Sequence, residues 1–304
     1  SQLFSLSIFS GGVIAFGGGS PMDASKVIAG CATNIGDINT YVGMFKFKKE
    51  SLPLFAVPTT AGTGSEVTIA AVISDTVTHE KKYFNDTKLV PLAAVLDPAL
   101  MVGLPPHITA ATGMDALTHA IEAYIGRAGT RETNENAIKA IKMIFTSLPE
   151  AYGNGSNIQA REELAKASYL AGLAFTRAFV GYVHAIAHQL GGVYGIPHGL
   201  ANAILLPHIV EFSRENCVDK LANLAIATNI GKKNGNMEKL SKKFVKKLFE
   251  MNKELGIPEK IKELKEEDIK MIAKKALKEG NFTYPVPKYM NQKECEKLLR
   301  KLIV

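Results

Sequence analysis

The chain has 304 residues, of which 46% are hydrophobic and 21% are charged, and its formal net charge at pH 7 is +7. This composition excludes a disordered or fibrous chain, and the length suits one large domain or two modest ones. The positive charge is local, because residues 232–304 hold 20 Lys and Arg against 11 Asp and Glu. These lysines are mixed with glutamates at helical spacing, which indicates a solvated helix face rather than a nucleic-acid-binding surface.

The three cysteines, Cys31, Cys217 and Cys295, are far apart and form no CxxC pair. The pattern predicts neither a disulfide framework nor a cysteine zinc site, and it suits a reducing compartment. No apolar run reaches the roughly 18 to 20 residues that a membrane helix needs, and the start lacks the basic region of a signal peptide. We therefore expect a soluble cytoplasmic protein that binds no membrane.

The first part of the chain alternates short apolar runs with glycine-rich turns. The runs Val13–Phe16, Leu54–Val57 and Ala93–Leu96 are typical of strands buried on both faces of a parallel sheet. Long alanine-rich helical patterns follow. We predict an α/β cofactor-binding domain with a Rossmann-like parallel sheet over residues 1–104, and an all-α metal-binding domain over residues 105–304. Three strands would leave an open sheet edge, so we expect the α/β domain to be incomplete.

A glycine-rich turn follows the first apolar run, in the sequence FGGGSPMD that begins at Phe16. Ser20 is the predicted helix N-cap, with Pro21 in the first helical position and Asp23 three residues after the cap. The free N–H groups of such a helix start attract a pyrophosphate, and glycine lets it approach closely. An ordinary tight turn is the alternative, because neither GxGxxG nor a P-loop motif is present.

A second turn, PTTAGTGSE at residues 58–66, also follows an apolar run and combines four hydroxyl side chains with two glycines. An ordinary Ser/Thr-rich loop has the same composition. Two such turns at strand ends are nevertheless typical of an open sheet that binds its ligand at the carboxyl edge. Together they predict a dinucleotide site.

Asp115 and His119 are four residues apart in a helical stretch that is otherwise apolar or small. Both side chains would point inward, and a buried carboxylate is costly unless it is paired or bound to a metal. A structural hydrogen bond between the two is the alternative.

The same spacing recurs at His184 and His188, and His198 follows ten residues later, beyond a predicted helix break at Gly191–Gly192. The pattern resembles HExxH, but Ala185 replaces the general-base glutamate, which argues against peptide hydrolysis. Spacing does not decide which of the first two histidines binds a metal. A sulfur-free set of nitrogen and oxygen ligands suits Fe(II), Zn(II) or a related ion. The other histidines share no such spacing and are expected to be structural: His79, His107 and His208.

Four stretches together resemble the iron-containing alcohol dehydrogenase family. They are FGGGSPMDASK from Phe16, VPTTAGTGSE from Val57, LDPALMVGLPPHITAATGMDALTHAIEAY from Leu96 and GYVHAIAHQLGGVYGIPHG from Gly181. The resemblance runs from about Val13 to the end of the chain and includes TYPVPKYM near Tyr284. It implies a cofactor domain followed by a helical metal domain, with Fe(II), or alternatively Zn(II), and NAD or NADP as cofactors.

Carried over residue by residue, the resemblance implies that Asp115, His119, His184 and His198 hold the metal. It implies that His188 is the catalytic histidine, beside the nicotinamide and the substrate.

The resemblance also implies a cofactor-binding set at the two turns. These residues are Gly18, Gly19, Ser20 and Asp23 at the pyrophosphate, with Thr59, Thr60 and Thr63 nearby. Lys81 would lie near the ribose, and Phe175 matches a wall of the substrate pocket.

The activity implied is metal-assisted hydride transfer between small primary alcohols and aldehydes. Separately, an exposed sheet edge that could pair with a second copy favours a homo-oligomer, a dimer or larger. Members of the family normally have further N-terminal strands, which include the position that selects NAD or NADP. The alternatives are a glycerol dehydrogenase, a metal enzyme similar to dehydroquinate synthase, or an inactive metal-binding fragment. The region around the proposed metal is rich in Ala, Gly and Leu, and it lacks the cationic array that a phosphorylated acidic substrate needs.

Overall fold

The computed structural model describes residues 7–9, 11–75 and 81–304. His79, which we predict to be structural, lies outside the described residues. The strands are β1 (Ser7–Phe9), β2 (Gly12–Gly17), β3 (Gly43–Met44), β4 (Leu54–Pro58), β5 (Ala70–Ser74), β6 (Lys81–Asn85) and β7 (Ala93–Ala94). The α-helices are α1 (Gly19–Thr33), α2 (Pro106–Ile125), α3 (Arg131–Gly153), α4 (Ile158–Ala178), α5 (Tyr182–Tyr194), α6 (His198–Ser213), α7 (Val218–Ala227), α8 (Met237–Glu254), α9 (Glu266–Thr283) and α10 (Gln292–Arg300). Short 3₁₀ helices cover Ile38–Tyr41, Thr87–Leu89, Pro98–Met101 and Arg214–Asn216.

The first sheet has the order β1-β2-β4-β7. Strand β2 runs parallel to β4, with Ala15 opposite Ala56, and β4 runs parallel to β7. These are the three strands expected from the apolar runs, and the predicted fold class is confirmed. Strand β1 is an addition that the sequence pattern did not predict, and it pairs with β2 in the antiparallel direction.

The prediction that this sheet is buried on both faces is wrong for the described part of the chain. Val13 and Ala15 are buried, and they form one apolar cluster with Met22 of α1. The alternate residues Ile14 and Phe16 point the other way and are 38% and 43% exposed. Successive side chains of a strand face opposite sides, so α1 covers only one of the two faces.

A second sheet has the order β3-β6-β5, in which β5 and β6 form an antiparallel pair. The sequence pattern did not predict it, because β6 begins with Lys81 and Lys82 and its side chains do not alternate clearly between apolar and polar. This sheet matters for the site, since it carries Lys81 and Tyr83 to the side of helix α5.

Helix α1 begins earlier than expected, and Ser20 is not its N-cap. Gly18 is the N-cap residue, and Met22 N donates to Gly18 O at 3.2 Å. Asp23 is not free to close a capping box, because its carboxylate accepts hydrogen bonds from Ser65 Oγ at 2.6 Å and Val72 N at 2.9 Å. Asp23 thus joins α1 to the second turn and to strand β5.

A buried lysine fixes the same region. Lys26 Nζ donates to the carbonyl oxygens of Thr68 and Ala70, each at 2.8 Å. Burial lowers the pKa of Lys26 to about 8, although the neighbouring Asp23 and Glu66 oppose the shift. Burial also raises the pKa of Glu66 to about 7. These contacts hold the segment that follows the second turn against α1.

The remainder of the chain is helical, as predicted. Helix α2 lies in its centre and is buried on all sides from Gly113 to Ile125, so any polar side chain in that stretch lies inside the core. On the lysine-rich helix α8, Lys242 pairs with Glu238 and Lys246 with Glu250, each at 3.3 Å, four residues apart. The lysines of this helix therefore lie on a solvated face.

Helix α5 continues through Gly191 and Gly192, so the expected break at these residues is wrong. The helix ends at Tyr194, where Gly195 adopts a left-handed conformation with φ +69°. Gly191 leaves room for the side chain of Lys81 at the start of β6, because a Cβ on Gly191 would lie 3.4 Å from Lys81 Nζ.

In the described part of the chain, no single α-helix has both the length and the hydropathy needed to cross a membrane. Helices α4 and α5 meet these conditions only as a pair, and the pair is bent by 102°.

The second turn contacts the helical part of the chain where its Gly64 meets Gly172 of α4. Gly64 has φ +63°, and a Cβ on it would lie 2.9 Å from Gly172 Cα in α4. This close approach sets the distance between the turn and the helix that carries Phe175.

We expect Gly64→Ala to lower the free energy of unfolding by about 1 to 3 kcal/mol, since the substitution combines a left-handed backbone with a clash against backbone atoms. Chemical denaturation measures this difference. The control is Gly153→Ala at the end of α3, where nothing in the described chain lies within 4 Å of the added Cβ. Equal stability of the two variants would contradict the proposed contact.

Candidate metal and catalytic site

Three helices bring a carboxylate and two imidazoles together in the core. Asp115 lies on α2, His184 on α5 and His198 at the start of α6, and their ligand atoms all lie within 4.8 Å of one another. Asp115 Oδ1 is 3.8 Å from His184 Nε2 and 3.6 Å from His198 Nε2. One cation could contact all three atoms.

The two imidazoles have the protonation state that a metal requires. Burial lowers the pKa of His198 to about 3, against the opposing effect of Asp115. Burial, with the neighbouring histidines, lowers the pKa of His184 well below its usual value. Both rings are therefore neutral at neutral pH and present a nitrogen lone pair.

A buried glutamate that the sequence analysis missed orients His184. Glu122 Oε2 is 2.6 Å from His184 Nδ1, and Glu122 Oε1 accepts a hydrogen bond from Val183 N at 2.8 Å. Burial raises the pKa of Glu122, while hydrogen bonds from the backbone N–H groups of Gly181, Val183 and His184 oppose the shift and favour the carboxylate. The contact at Nδ1 leaves Nε2 facing Asp115, which is the usual arrangement behind a metal-binding histidine. Its signal was present, because Glu122 follows Asp115 by seven residues and shares its helix face.

We expect Glu122→Gln to weaken metal binding by about 10- to 100-fold, because the carboxylate that orients the ligand and raises its basicity is lost. Competition with a chromophoric chelator measures the affinity. The exposed Glu135→Gln on α3 serves as the control. Unchanged affinity in the Glu122 variant would contradict this role.

Asn202 is the second residue that the sequence analysis missed. Its Nδ2 lies 2.6 Å from Asp115 Oδ1, 3.2 Å from His184 Nε2 and 3.1 Å from His198 Nε2. Within the described residues, three buried polar atoms around this point lack a hydrogen-bond partner. They are Asn202 Oδ1, His119 Nδ1 and His198 Nδ1. Buried polar atoms are normally satisfied, so the unpartnered His119 nitrogen and the sulfur-free donor set fit a bound divalent metal.

His119, the fourth expected ligand, lies next to the three-atom group and is not part of it. Its ring stacks on Phe175 with centroids 4.1 Å apart, and on His184 with centroids 4.5 Å apart. Burial lowers its pKa, so this ring is also neutral. Phe175 therefore forms a wall beside the group.

The structure separates the two histidines that spacing alone could not distinguish. His188 lies one turn after His184, and its Nδ1 is 2.7 Å from Glu279 Oε1 instead of facing Asp115. Its ring stacks on His198 with centroids 5.3 Å apart, and it lies 5.5 Å from the ring of Tyr83. His188 thus lies at the edge of the three-atom group, and its Nε2 is not engaged by the Glu279 carboxylate.

The residues expected at the cofactor come together at the two turns. A Cβ on Gly19 would lie 2.7 Å from Thr63 Cγ2, and one on Gly18 would lie 3.3 Å from Thr60 Oγ1. Thr59 N donates to a carbonyl of the first turn at 2.9 Å. Ser20 is exposed, in the first turn of α1.

Lys81 lies beside α5, the helix that carries His184 and His188. It is beside Gly191 of α5, and although burial lowers its pKa, Glu279 and Asp115 oppose that shift. Two remaining histidines lie apart from the metal-site group: His107 is exposed, and His208 meets Phe249 edge-on at 5.0 Å.

An α/β layer with paired glycine and hydroxyl turns stands beside a helical core that holds carboxylate and imidazole ligands. This combination is typical of a metal-dependent dehydrogenase that uses a dinucleotide cofactor.

Comparison with known proteins makes the class specific. Residues 10–98 match the family model described as iron-containing alcohol dehydrogenase, and residues 109–303 match the model described as Fe-containing alcohol dehydrogenase family, C-terminal. The chain belongs to the iron-containing alcohol dehydrogenase family and is an oxidoreductase of the alcohol dehydrogenase type.

Individual relatives and solved structures support the same family. The chain is 44% identical to alcohol dehydrogenase 4 of Saccharomyces cerevisiae over 277 residues, which are 90% of this chain and 72% of the relative. The solved structure of a 1,3-propanediol oxidoreductase matches with a TM-score of 0.91 and 40% identity, over 95% of this chain and 76% of that one. A sulfoacetaldehyde reductase from Bifidobacterium kashiwanohense, solved in complex with NAD+, matches with a TM-score of 0.85 and 31% identity, over 96% and 76%.

Proposed function

We propose that this chain interconverts small primary alcohols and aldehydes by metal-assisted hydride transfer, with NAD or NADP as the second substrate. The observation that carries the proposal is the group of Asp115, His184 and His198 ligand atoms within 4.8 Å, bordered by His188. The names of the relatives support the reaction class, and the NAD+ complex of a similar structure supports the cofactor.

In this proposal Asp115, His184 and His198 hold the metal, and His119 completes the set from the adjacent turn of α2. The ion is Fe(II), with Zn(II) as the alternative. When bound, the metal supplies a Lewis acid for the substrate oxygen, and the nicotinamide supplies the hydride acceptor. Phe175 packs against the alkyl part of the substrate and keeps water away from it.

During oxidation, the alcohol gives up two hydrogens in different forms. When bound, the nicotinamide would accept the hydride from C1 of the alcohol, and Nε2 of His188 would take the hydroxyl proton and pass it to solvent. The products are an aldehyde, the reduced cofactor and one proton. His188 suits this task because its Nδ1 is already hydrogen-bonded, so only Nε2 exchanges a proton with the substrate.

The cofactor is assigned to the edge formed by the two turns, with a domain boundary after residue 104. Gly18, Gly19 and Ser20 line the pyrophosphate position, Asp23 belongs to the same turn, and the threonines of the second turn lie alongside. Asp23 would support the turn rather than contact the phosphates, because both of its oxygens are engaged. The location of Lys81 beside Gly191 of α5 supports a position at the nicotinamide ribose.

Deuterium transfer tests the hydride step directly. Ethanol with deuterium at C1 should deliver one deuterium to the nicotinamide, which mass spectrometry of the reduced cofactor detects. Unlabelled ethanol in deuterated water is the control and should deliver none. Reduced cofactor without label from the deuterated alcohol would contradict direct hydride transfer.

We further propose a homo-oligomer and a cytoplasmic location. The half-exposed apolar face of Ile14 and Phe16, together with the sheet edge, supports self-association. All three cysteines lie in the described part of the chain and are free thiols, which suits a reducing compartment. Light scattering tests the first statement, and a monomer at micromolar concentration would contradict it.

A further inference from the structure

Glu279 on α9 lies at the centre of a hydrogen-bond network that includes His188. Glu279 Oε1 is 2.7 Å from His188 Nδ1 and accepts a hydrogen bond from Tyr284 Oη, also at 2.7 Å. Glu279 Oε2 accepts a hydrogen bond from Gln189 Nε2 at 3.2 Å. Both carboxylate oxygens are engaged, so the carboxylate is held in one orientation.

The network depends on the close approach of two helices. A Cβ on Gly280 would lie 2.7 Å from Tyr182 Cδ1 and 3.5 Å from Ala185 Cβ, both on α5. Only glycine allows α9 to lie this close to α5 without displacement. The neighbouring Glu279 thereby reaches the His188 ring.

The surroundings of Glu279 determine which of its partners donate hydrogen bonds to it. Burial, reinforced by Glu279, raises the pKa of Tyr284 well above its usual value, so the phenol stays protonated and donates. Gln189 donates through its amide nitrogen. The carboxylate is then the acceptor for every partner, and the side chains of His188 and Glu279 are only 10% and 21% exposed. A proton on His188 Nδ1 completes the network.

We propose that Glu279 is a positioning residue for His188. It accepts a hydrogen bond from Nδ1–H, holds the ring in the tautomer whose lone pair is on Nε2, and stabilises the imidazolium that forms when Nε2 takes the alcohol proton. The proposal rests on the proposed function, in which His188 is that proton acceptor. No atom of Glu279 changes its bonding, since the proton moves from the alcohol oxygen to Nε2 only. Carboxylates orient catalytic and metal-binding histidines in this way.

The tautomer is measurable without turnover. In ¹⁵N-labelled, Zn(II)-loaded protein, long-range ¹H–¹⁵N correlation separates the two nitrogens of each of the seven histidines, and His188→Ala assigns the His188 signals. We expect the Nδ1–H tautomer in the wild type and a mixture or the Nε2–H tautomer in Glu279→Leu. An Nε2–H tautomer in the wild type, or no change in the variant, would overturn the proposal.

Kinetics test the role of the charge. Glu279→Gln keeps the shape of the side chain but removes its charge, so we expect kcat to fall by about 10- to 100-fold. The KM values and the zinc content should stay within about twofold of the wild type. The exposed Glu267→Gln on the same helix is the matched control and should keep wild-type kcat. Loss of zinc, or a raised KM with unchanged kcat, would mean that Glu279 acts elsewhere.

A double variant separates action through His188 from action through other neighbours. Glu279 also opposes the lowering of the Lys81 pKa by burial, and Lys81 lies near the proposed cofactor position. If Glu279 acts through His188, His188→Ala/Glu279→Gln should have the kcat of His188→Ala alone, within about twofold. A kcat of the double variant far below that of His188→Ala would overturn the proposal. The NMR result stands apart from the proposed function, because an inactive wild type with the expected tautomer shift would contradict the reaction and not the positioning.

Discussion

His184→Ala should yield a protein that no longer retains a divalent metal after anaerobic reconstitution and desalting. The substitution removes one imidazole from the group and leaves Glu122 Oε2 without its 2.6 Å partner. A bound metal contributes several kcal/mol to the stabilisation of charge in the transition state. We therefore expect turnover to fall by about 10³-fold or more. Metal content per chain, measured by plasma mass spectrometry, checks the prediction.

Two further variants make this result interpretable. His198→Ala removes a ligand whose side chain is 32% exposed at the start of a helix, so it should lose the metal with less disturbance of the core. His208→Ala, on the same helix but outside the group, should retain one metal per chain. Wild-type metal content in His184→Ala would show that this side chain is not a ligand.

His188→Ala should separate catalysis from metal binding. Its Nδ1 faces Glu279 and not Asp115, so its removal leaves the three-atom group intact. The metal content should equal that of the wild type, while kcat falls by about 10²- to 10⁴-fold, the range for loss of a general acid or base. Metal analysis and steady-state kinetics on the same preparation test both parts.

The control for this variant is His107→Ala, because that histidine is exposed and lies apart from the metal-site group. It should match the wild type in metal content and in kcat. Loss of metal in His188→Ala would exchange the roles assigned to His184 and His188.

Periodicity and turn chemistry were sufficient for the fold class. The three parallel strands lie at the apolar runs, and Asp115 and His119 lie on one buried helix because their spacing follows the helical period. What spacing could not predict was the partner of each histidine. That depends on how α5 crosses α2 and α9, and a crossing has no local signal in the sequence.

The sequence pattern failed to predict these residues' roles for a different reason in each case. Glu279 lies in the lysine-rich segment, where composition indicates a solvated helix face, but the close contact at Gly280 brings α9 against α5 and the Glu279 side chain is only 21% exposed. Asn202 follows His198 by one helical turn, but an amide is not a typical metal-ligand signal. Ser20 had an N-cap signature, yet the bonds of Asp23 to Ser65 and Val72 prevailed over local capping.

The half-exposed face of the first sheet was also not predicted. Continuous apolar runs indicate burial on both faces, and Ile14 and Phe55 fit that pattern although they are 38% and 42% exposed. The sequence pattern reports the hydrophobicity of a strand and not the element that covers it. Such a face is where self-association would bury apolar surface.

The most direct test of the account is anaerobic reconstitution with Fe(II), and separately with Zn(II), followed by nicotinamide absorbance in the presence of NADH or NADPH and short aldehydes. We predict aldehyde-dependent oxidation of the nicotinamide by the metal-loaded protein and none by the metal-free protein. Equal turnover without metal would contradict the role of the Asp115, His184 and His198 group. One metal bound per chain without any oxidation of the nicotinamide would contradict the assigned reaction.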